Sequence, residues 1–360
     1  MKIYQIFTHQ LGDIMTKQYN SRIVSIGYYV PDKIVKIEEI EKRLKFKEKL
    51  GLPYGLIERL TGCREYREGP PDTNATDLAV EASKKAIQHA RQEGISRDDI
   101  DLILFCSCCQ DIYEPATANI VQEKLDISNA QVLDVKNACN SFINGIDVAD
   151  SMIATGKAKT ALVTTGEVLS KYGDRNIAKP EDFKPRFAGL TLADGGGAAV
   201  ITRSKPEEGR IIATSFESYG TEWRLGVVMA GGTMYWRKPI VDQGLTYFLS
   251  DSEKILKLAL KKIPPVMLKV LKDAGWRRED IDLVLGHQVT VKIIKDILDA
   301  AGIPFEKTIV TVDRYGNTAS ATIPITMGIA LEMGRLKRGM KLLLVGGASG
   351  FSVGVLALIW

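Results

Sequence analysis

SRDDIDLILF, residues 96–105, runs from a charged, turn-forming start into an unbroken apolar strand, and the pattern occurs twice. RREDIDLVLG, residues 277–286, repeats it with six of ten positions identical at an offset of 181. Each copy follows an amphipathic helical pattern, over 74–93 and 252–275. KTALVTTG (159–166) matches KLLLVGGA (341–348) at an offset of 182. Two matches at nearly one offset, about half of the 360 residues, identify twin half-domains and not a solenoid of short repeats.

Around these anchors the halves have the same order. The first reads strand 22–30, helix 74–93, strand 101–108, helix 117–125, strand 131–136, helix 139–156 and strands 160–167 and 197–203. The second reads strand 210–217, helix 252–275, strand 282–287, helix 291–302, strand 308–312, helix 319–334 and strands 341–346 and 353–359. This alternation predicts an α/β protein with helices on the faces of mixed sheets. DLILFC and LLLV are too continuously apolar for a sheet with a wet face, so both sides are buried. Phe142, Ile143, Ile146, Ala149 and Ile153 mark the helix from Cys139 as a central one. The expected division is an N-terminal extension, 1–21, a first half, 22–205, and a second half, 206–360.

A net charge of +4 does not indicate nucleic acid as partner. The basic clusters at Lys42–Lys49 and Arg335–Lys341 read as solvated helix faces, with attraction of an anionic carrier as the weaker reading. No secretory pattern opens the chain, and no run reaches the roughly 18 apolar residues of a membrane span. Five cysteines, three of them in CSCC, do not form a secreted disulfide framework, so a cytoplasmic protein with reduced thiols is expected.

DVKNACNSFINGID (134–147) carries the first chemical candidate. A strand passes through Asn137 and Ala138 to Cys139, where a helix starts. Unpaired N–H groups and the helix dipole there favour the nucleophilic thiolate; the alternative is a small buried hydrophobe. His287 closes DLVLGH, at the strand end where α/β folds place catalytic groups; the alternative is a hydrogen-bonded structural histidine. His9 lies in the extension and His89 on a polar helix stretch. Asn317, in YGNT, is either a turn or cap residue or an amide donor aimed at an enolate oxygen.

The repeat maps Cys139 onto Ser320 and His287 onto Cys106, so Cys139 and Asn317 sit near equivalent strand-to-helix corners. One crevice at the strand ends can then collect all three candidates. VGGASGFSVG (345–354), with Ser349 and Gly350, and ADGGGAAV (193–200) are either tight turns or places of close backbone approach to a carbonyl. Neither has the pattern of a phosphate loop. In CSCCQDIYEPATA (106–118) the cysteine spacing fits no zinc motif and no second Cys or His pair is near in sequence, so no metal is expected. Cys106, Cys108 and Cys109 read as packing within the strand or between subunits, and Glu114 as a loop carboxylate.

Cys, then His, then Asn on a duplicated α/β chain with a glycine-rich C-terminal turn resembles the thiolase superfamily. Within it the chain is most similar to the β-ketoacyl-acyl-carrier-protein synthase III group. The matching pieces run from about residue 22 to 360: LTGCRE with ATDLAVEASKKAI, DVKNACNSF, ADGGGAAV, HQVTVKII, RYGNTASATIP and LLLVGGASGFSVG. The resemblance implies an αβαβα layered fold, a homodimer, and no permanently bound cofactor. It makes Cys139 the acylated nucleophile, with the backbone N–H groups of Cys139 and Ser349 around the acyl carbonyl. His287 and Asn317 would hold the enolate oxygen. Arg186 corresponds to an arginine near the pantetheine entrance, and Gly350 belongs to the substrate-binding turn. The substrates implied are acyl-CoA or acyl-carrier protein, condensed with malonyl-carrier protein or malonyl-CoA in a Claisen reaction.

YEPATA and ACNSFINGI are also similar to relatives that join two acyl-CoA molecules head to head in olefin biosynthesis. There a glutamate, here Glu114, reaches across the dimer and acts as the base. Leu56 and Leu60 stand where carrier-protein-dependent synthases have a tryptophan and an arginine on the CoA adenine. Ser349 replaces a family glycine, and YGN replaces the commoner HGN. The readings left open are decarboxylating condensation, head-to-head condensation without decarboxylation, and a non-condensing acyltransferase or partner subunit. The Trp-, Tyr-, Met- and Gly-rich stretch 219–249 reads as an acyl pocket, a dimer contact or a packed lid.

Overall fold

The computed structural model describes residues 18–174, 176–235 and 244–360. His9 and part of the aromatic stretch, 236–243, lie outside the described residues. The first main sheet contains β1 (Asn20–Tyr29), β2 (Leu102–Phe105), β3 (Gln131–Asp134), β4 (Thr160–Val168) and β5 (Asp194–Ser204), in the order β1-β5-β4-β2-β3. The second contains β6 (Arg210–Ser218), β7 (Leu283–Gly286), β8 (Lys341–Ala348) and β9 (Ser352–Ile359), in the order β7-β8-β9-β6. In both, a parallel pair (β2 with β4, β7 with β8) is followed by antiparallel neighbours.

The register refines the repeat. Leu102 pairs with Ala161 and Leu283 with Leu342, so both partners of the second pair keep the smaller of the two offsets. The larger offset, read from KTALVTTG and KLLLVGGA, is therefore out by one position. A slip of one would turn each side chain to the opposite face, so pairing and not local identity sets the register.

Helix α1 (Ala75–Ala90) begins in a capping box in which the Asn74 N–H donates to Asp77 Oδ2 at 2.9 Å. It lies directly on the first sheet, because a Cβ at Gly166 would stand 1.8 Å from the Ala75 carbonyl oxygen and one at Gly196 2.1 Å from that of Leu78. Helix α2 (Thr117–Lys124) starts where Asp134 accepts from the Thr117 and Ala118 N–H groups, both at 2.8 Å. Helix α3 (Ser141–Ala154) and helix α6 (Thr322–Glu332) lie between the sheets; their apolar residues share one core with both. Phe142, Ile143, Ile146, Ala149 and Ile153 are all fully buried, as a central helix requires. Helix α4 (Ser252–Asp273) and helix α5 (Val291–Ala301) cover the outer face of the second sheet. The layers are thus α, β, α, β, α. No described helix is long and apolar enough to cross a membrane.

The strand expected over 308–312 does not form. Buried Gln288 takes its hydrogen bonds instead. Gln288 Nε2 donates to the Ile309 carbonyl at 2.6 Å, and Oε1 accepts from the Thr311 and Val312 N–H groups at 2.8 and 3.0 Å. A side-chain clamp replaces the ladder that β3 makes in the other half. Gln288→Ala would strip three buried backbone groups of partners and is expected to lower stability by about 2 kcal/mol, read from urea unfolding.

Candidate active site

The Cys139 corner is a tight turn and not the first turn of a helix. Helix α3 starts at Ser141, later than the pattern suggests. Ala138 takes a left-handed φ of 46°, unusual for a residue with a Cβ. The turn is held by Asn140 N–H to the Asn137 carbonyl at 3.0 Å, and by Ser141 Oγ, which donates to the Ala138 carbonyl at 2.7 Å and accepts from the Asn137 N–H at 2.8 Å. The second half grips it from the side. Asn140 Nδ2 donates to Ser352 Oγ at 2.9 Å, and a Cβ at Gly346 would lie 2.1 Å from Asn140 Oδ1. Gly346→Ala is expected to cost about 1–3 kcal/mol by overpacking and to slow alkylation of Cys139 by iodoacetamide, measured as thiol loss over time.

The helix start does not lower the Cys139 pKa. Cys139 is partly exposed, but burial of its surroundings and then the facing Glu167 carboxyl push the thiol up to about 12; the Ser349 N–H at the sulfur opposes this. Cys139 lies before the helix proper, so packing and the neighbouring acid outweigh the dipole. At rest Cys139 is a thiol.

The opposing corner is its pseudo-twofold counterpart. Ala319, the repeat equivalent of Ala138, has a φ of 43°, so the same strained elbow precedes Ser320 as precedes Cys139. The strand ends match too. The Cys106 N–H donates to the Thr164 carbonyl at 2.7 Å, and the His287 N–H to that of Val345 at 2.8 Å, donor and acceptor both at equivalent positions of the repeat. Asn317 is buried, bonded through its N–H to the Thr191 carbonyl at 2.8 Å and through its carbonyl to the Ala193 N–H at 3.0 Å. Its Oδ1 accepts from the Ala319 N–H at 2.9 Å, which leaves the amide NH2 as the edge turned away from the turn. The His287 ring bonds the Ala319 backbone, and burial lowers its pKa to about 4, so the imidazole is neutral near pH 7. Nδ1 lies 3.4 Å from Thr322 Oγ1.

The corners are joined through Glu167, at the end of β4. Its carboxyl faces Cys139, accepts from Ser320 Oγ, and accepts from Cys108 Sγ at 3.0 Å. Ser320 Oγ also reaches the Cys106 carbonyl at 3.1 Å. Sequence reading passed over Glu167; its signal was a lone carboxylate in TALVTTGEV, a strand otherwise without charge.

The structure thus gathers Cys139, Ser349, His287 and Asn317 around linked corners. Gly350 turns at φ 125° between β8 and β9, where open space would surround a Cβ; the backbone angle is what favours glycine. Among the described residues, two other candidates make no hydrogen bond or ion pair with these. Arg186 is held by buried Asp174 and by Asp182, and its guanidinium stands 5.9 Å from the Tyr247 ring centre. Glu114 is exposed, on a loop with Ile112 and Tyr113, which are 45% and 64% exposed. Leu60 is 50% exposed on Leu56–Thr61. Gly226, in the stretch 219–249, packs against Ser349, where an added Cβ would lie 2.6 Å from the hydroxyl.

Residues 133–220 match the family model 3-oxoacyl-[acyl-carrier-protein] synthase III, and residues 271–360 match the model of its C-terminal part. The β-ketoacyl-[acyl-carrier-protein] synthase III 1 of Bacillus cereus is 32% identical over 344 residues, 95% of this chain and 99% of its own. The 3-oxoacyl-[acyl-carrier-protein] synthase III of Aquifex aeolicus superposes with a TM-score of 0.82 at 29% identity, covering 94% of this chain and 100% of its own. Xanthomonas campestris OleA with bound lauric acid and lauroyl-CoA superposes with a TM-score of 0.85 at 26% identity, covering 95% and 100%. Similarity of this extent, over both halves and both corners, places the chain in the β-ketoacyl-[acyl-carrier-protein] synthase III family of condensing acyltransferases.

Proposed function

We propose that the protein loads an acyl group onto Cys139 and condenses it with malonyl-carrier protein or malonyl-CoA in fatty-acid or related lipid biosynthesis. The Cys139 sulfur attacks a thioester carbonyl, the carrier thiol leaves with the proton, and the acyl oxygen sits between the Cys139 and Ser349 N–H groups. Malonyl then loses carbon dioxide. The resulting enolate oxygen is held by neutral His287 and the Asn317 amide, its carbon attacks the acyl carbonyl, and the Cys139–acyl bond breaks, the leaving thiolate taking up a proton from solvent to restore the thiol. The half 22–205 supplies the nucleophile and the half 206–360 the enolate site. The observation that carries this reading is the Ser349 N–H, a donor from the other half that bonds the Cys139 sulfur and so supports a role for it beside the acyl carbonyl.

Intact-protein mass spectrometry after exposure to a panel of acyl-CoAs tests it. A single adduct that maps to Cys139, and is discharged by malonyl-carrier protein as a β-keto product, is expected. An adduct on another residue would overturn it.

A second reading is favoured by the likeness to the acyl-CoA-bound OleA structure. Two acyl-CoAs would be joined without decarboxylation, with Glu114 of a neighbouring subunit as base. The exposed Ile112–Glu114 loop and Leu133, 38% exposed on edge strand β3, support a homodimer formed there. Glu114→Ala with full activity on two acyl-CoAs would remove it. Five unpaired cysteines support a reducing, cytoplasmic location.

A further inference from the structure

The cysteine spacing in CSCC fits no zinc motif, but the fold brings a third donor to it from the end of β4. We propose that Cys108, Cys109 and Glu167 form a binding site for a zinc-type divalent cation beside the nucleophile. Occupation of this site would close Cys139 to acyl groups.

One ligand atom from each residue, two sulfurs and a carboxylate oxygen, lies within 4.8 Å of the others. Zinc takes sulfur at about 2.3 Å and oxygen at about 2.1 Å, so tetrahedral ligands stand roughly 3.5 Å apart and a small contraction suffices. Two thiolates and a carboxylate suit a borderline-soft ion, not magnesium or calcium.

The surroundings fit a built site. Glu167 is fully buried and Cys109 nearly so, while Cys108 is partly exposed and gives access. Outer contacts already orient the carboxyl: Ser320 Oγ and the Cys108 N–H, the latter at 3.2 Å, both donate to it. Tyr172 bonds the Cys109 thiol. Three protein ligands leave a fourth position, and Cys139 is close by: it packs on the same apolar cluster as Cys109, and a thiolate at Cys139 would repel one at Cys108. Binding breaks two S–H bonds, releases two protons to solvent, and forms two metal–sulfur bonds and one metal–oxygen bond. No electron transfer is needed. Only the effect on acylation rests on the condensing reading.

Cobalt(II) added to the full, reduced chain is the direct probe. One ion per chain is expected, with a thiolate-to-cobalt charge-transfer band in the near ultraviolet that zinc abolishes by displacement. Cys108→Ser and Glu167→Gln should each weaken binding at least about tenfold, with thermal melts checking that both fold. Cys139→Ala should keep the band. Zinc should block acyl loading of the unmodified chain, a chelator should restore it, and Cys108→Ser should load in the presence of zinc. No band in the unmodified chain, a band unchanged in Cys108→Ser, or a band lost in Cys139→Ala would each overturn the site. Absence of acyl loading with the band intact would overturn the condensing reading while supporting the site.

Discussion

Cys139→Ala is expected to abolish covalent loading by acyl-CoA and to lower condensation by about 10⁵-fold or more, because the step that divides the reaction in two loses its only acceptor. The substitution removes one sulfur and leaves in place the hydrogen bonds of Asn137, Ala138, Asn140 and Ser141 that hold the turn. Melting should therefore stay near that of the unmodified chain, which separates lost chemistry from lost fold. Persistent labelling at the original level would reject Cys139 as nucleophile. The thiol's raised pKa adds a second readout. Alkylation by iodoacetamide should stay slow at neutral pH and rise as pH increases towards about 12. Fast alkylation at pH 7 would contradict the resting thiol.

His287→Ala should separate the two half-reactions. On the proposed assignment acyl loading uses the Cys139 and Ser349 N–H groups, so it should remain near the original rate. Condensation should fall by on the order of 10²–10³-fold, the usual cost of losing one donor to a developing oxyanion. Asn317→Ala should act the same way, and equal loss of loading in either variant would argue against their assignment to the enolate. The imidazole also carries a pH signature. Its folded pKa, about 4, lies below the ordinary 6.5, so the unfolded chain takes up the proton first. The contribution to stability is complete above about pH 6.5 and is lost as pH falls from there through about 4. His287→Gln should flatten this part of the stability curve, measured by urea unfolding across that range.

Much of this site was legible in the residues. Cys139, His287 and Asn317 stand at ends of strongly patterned elements, and the half-chain repeat sets two of those ends against each other. The failures share a cause, which is competition from groups distant in sequence. The expected edge strand at 308–312 lost its ladder to the Gln288 side chain. The expected thiolate lost to packing and to Glu167, which lies beyond helix α3 on β4. The nearness of Glu167 to Cys108 and Cys109 likewise comes from that strand and is not readable in the spacing of CSCC.

The sequence by itself determined the α/β class and the duplication and put forward Cys139, His287 and Asn317 as candidates, because hydrophobic period and repeat offset are local quantities read along the chain; the layering and the candidates' roles were implied by the family resemblance. Only the tertiary structure decided the register between halves, the ionisation of Cys139 and His287, and the meeting of Glu167 with both corners. Burial and through-space charge depend on which residues the fold makes neighbours, and no spacing along a chain encodes them.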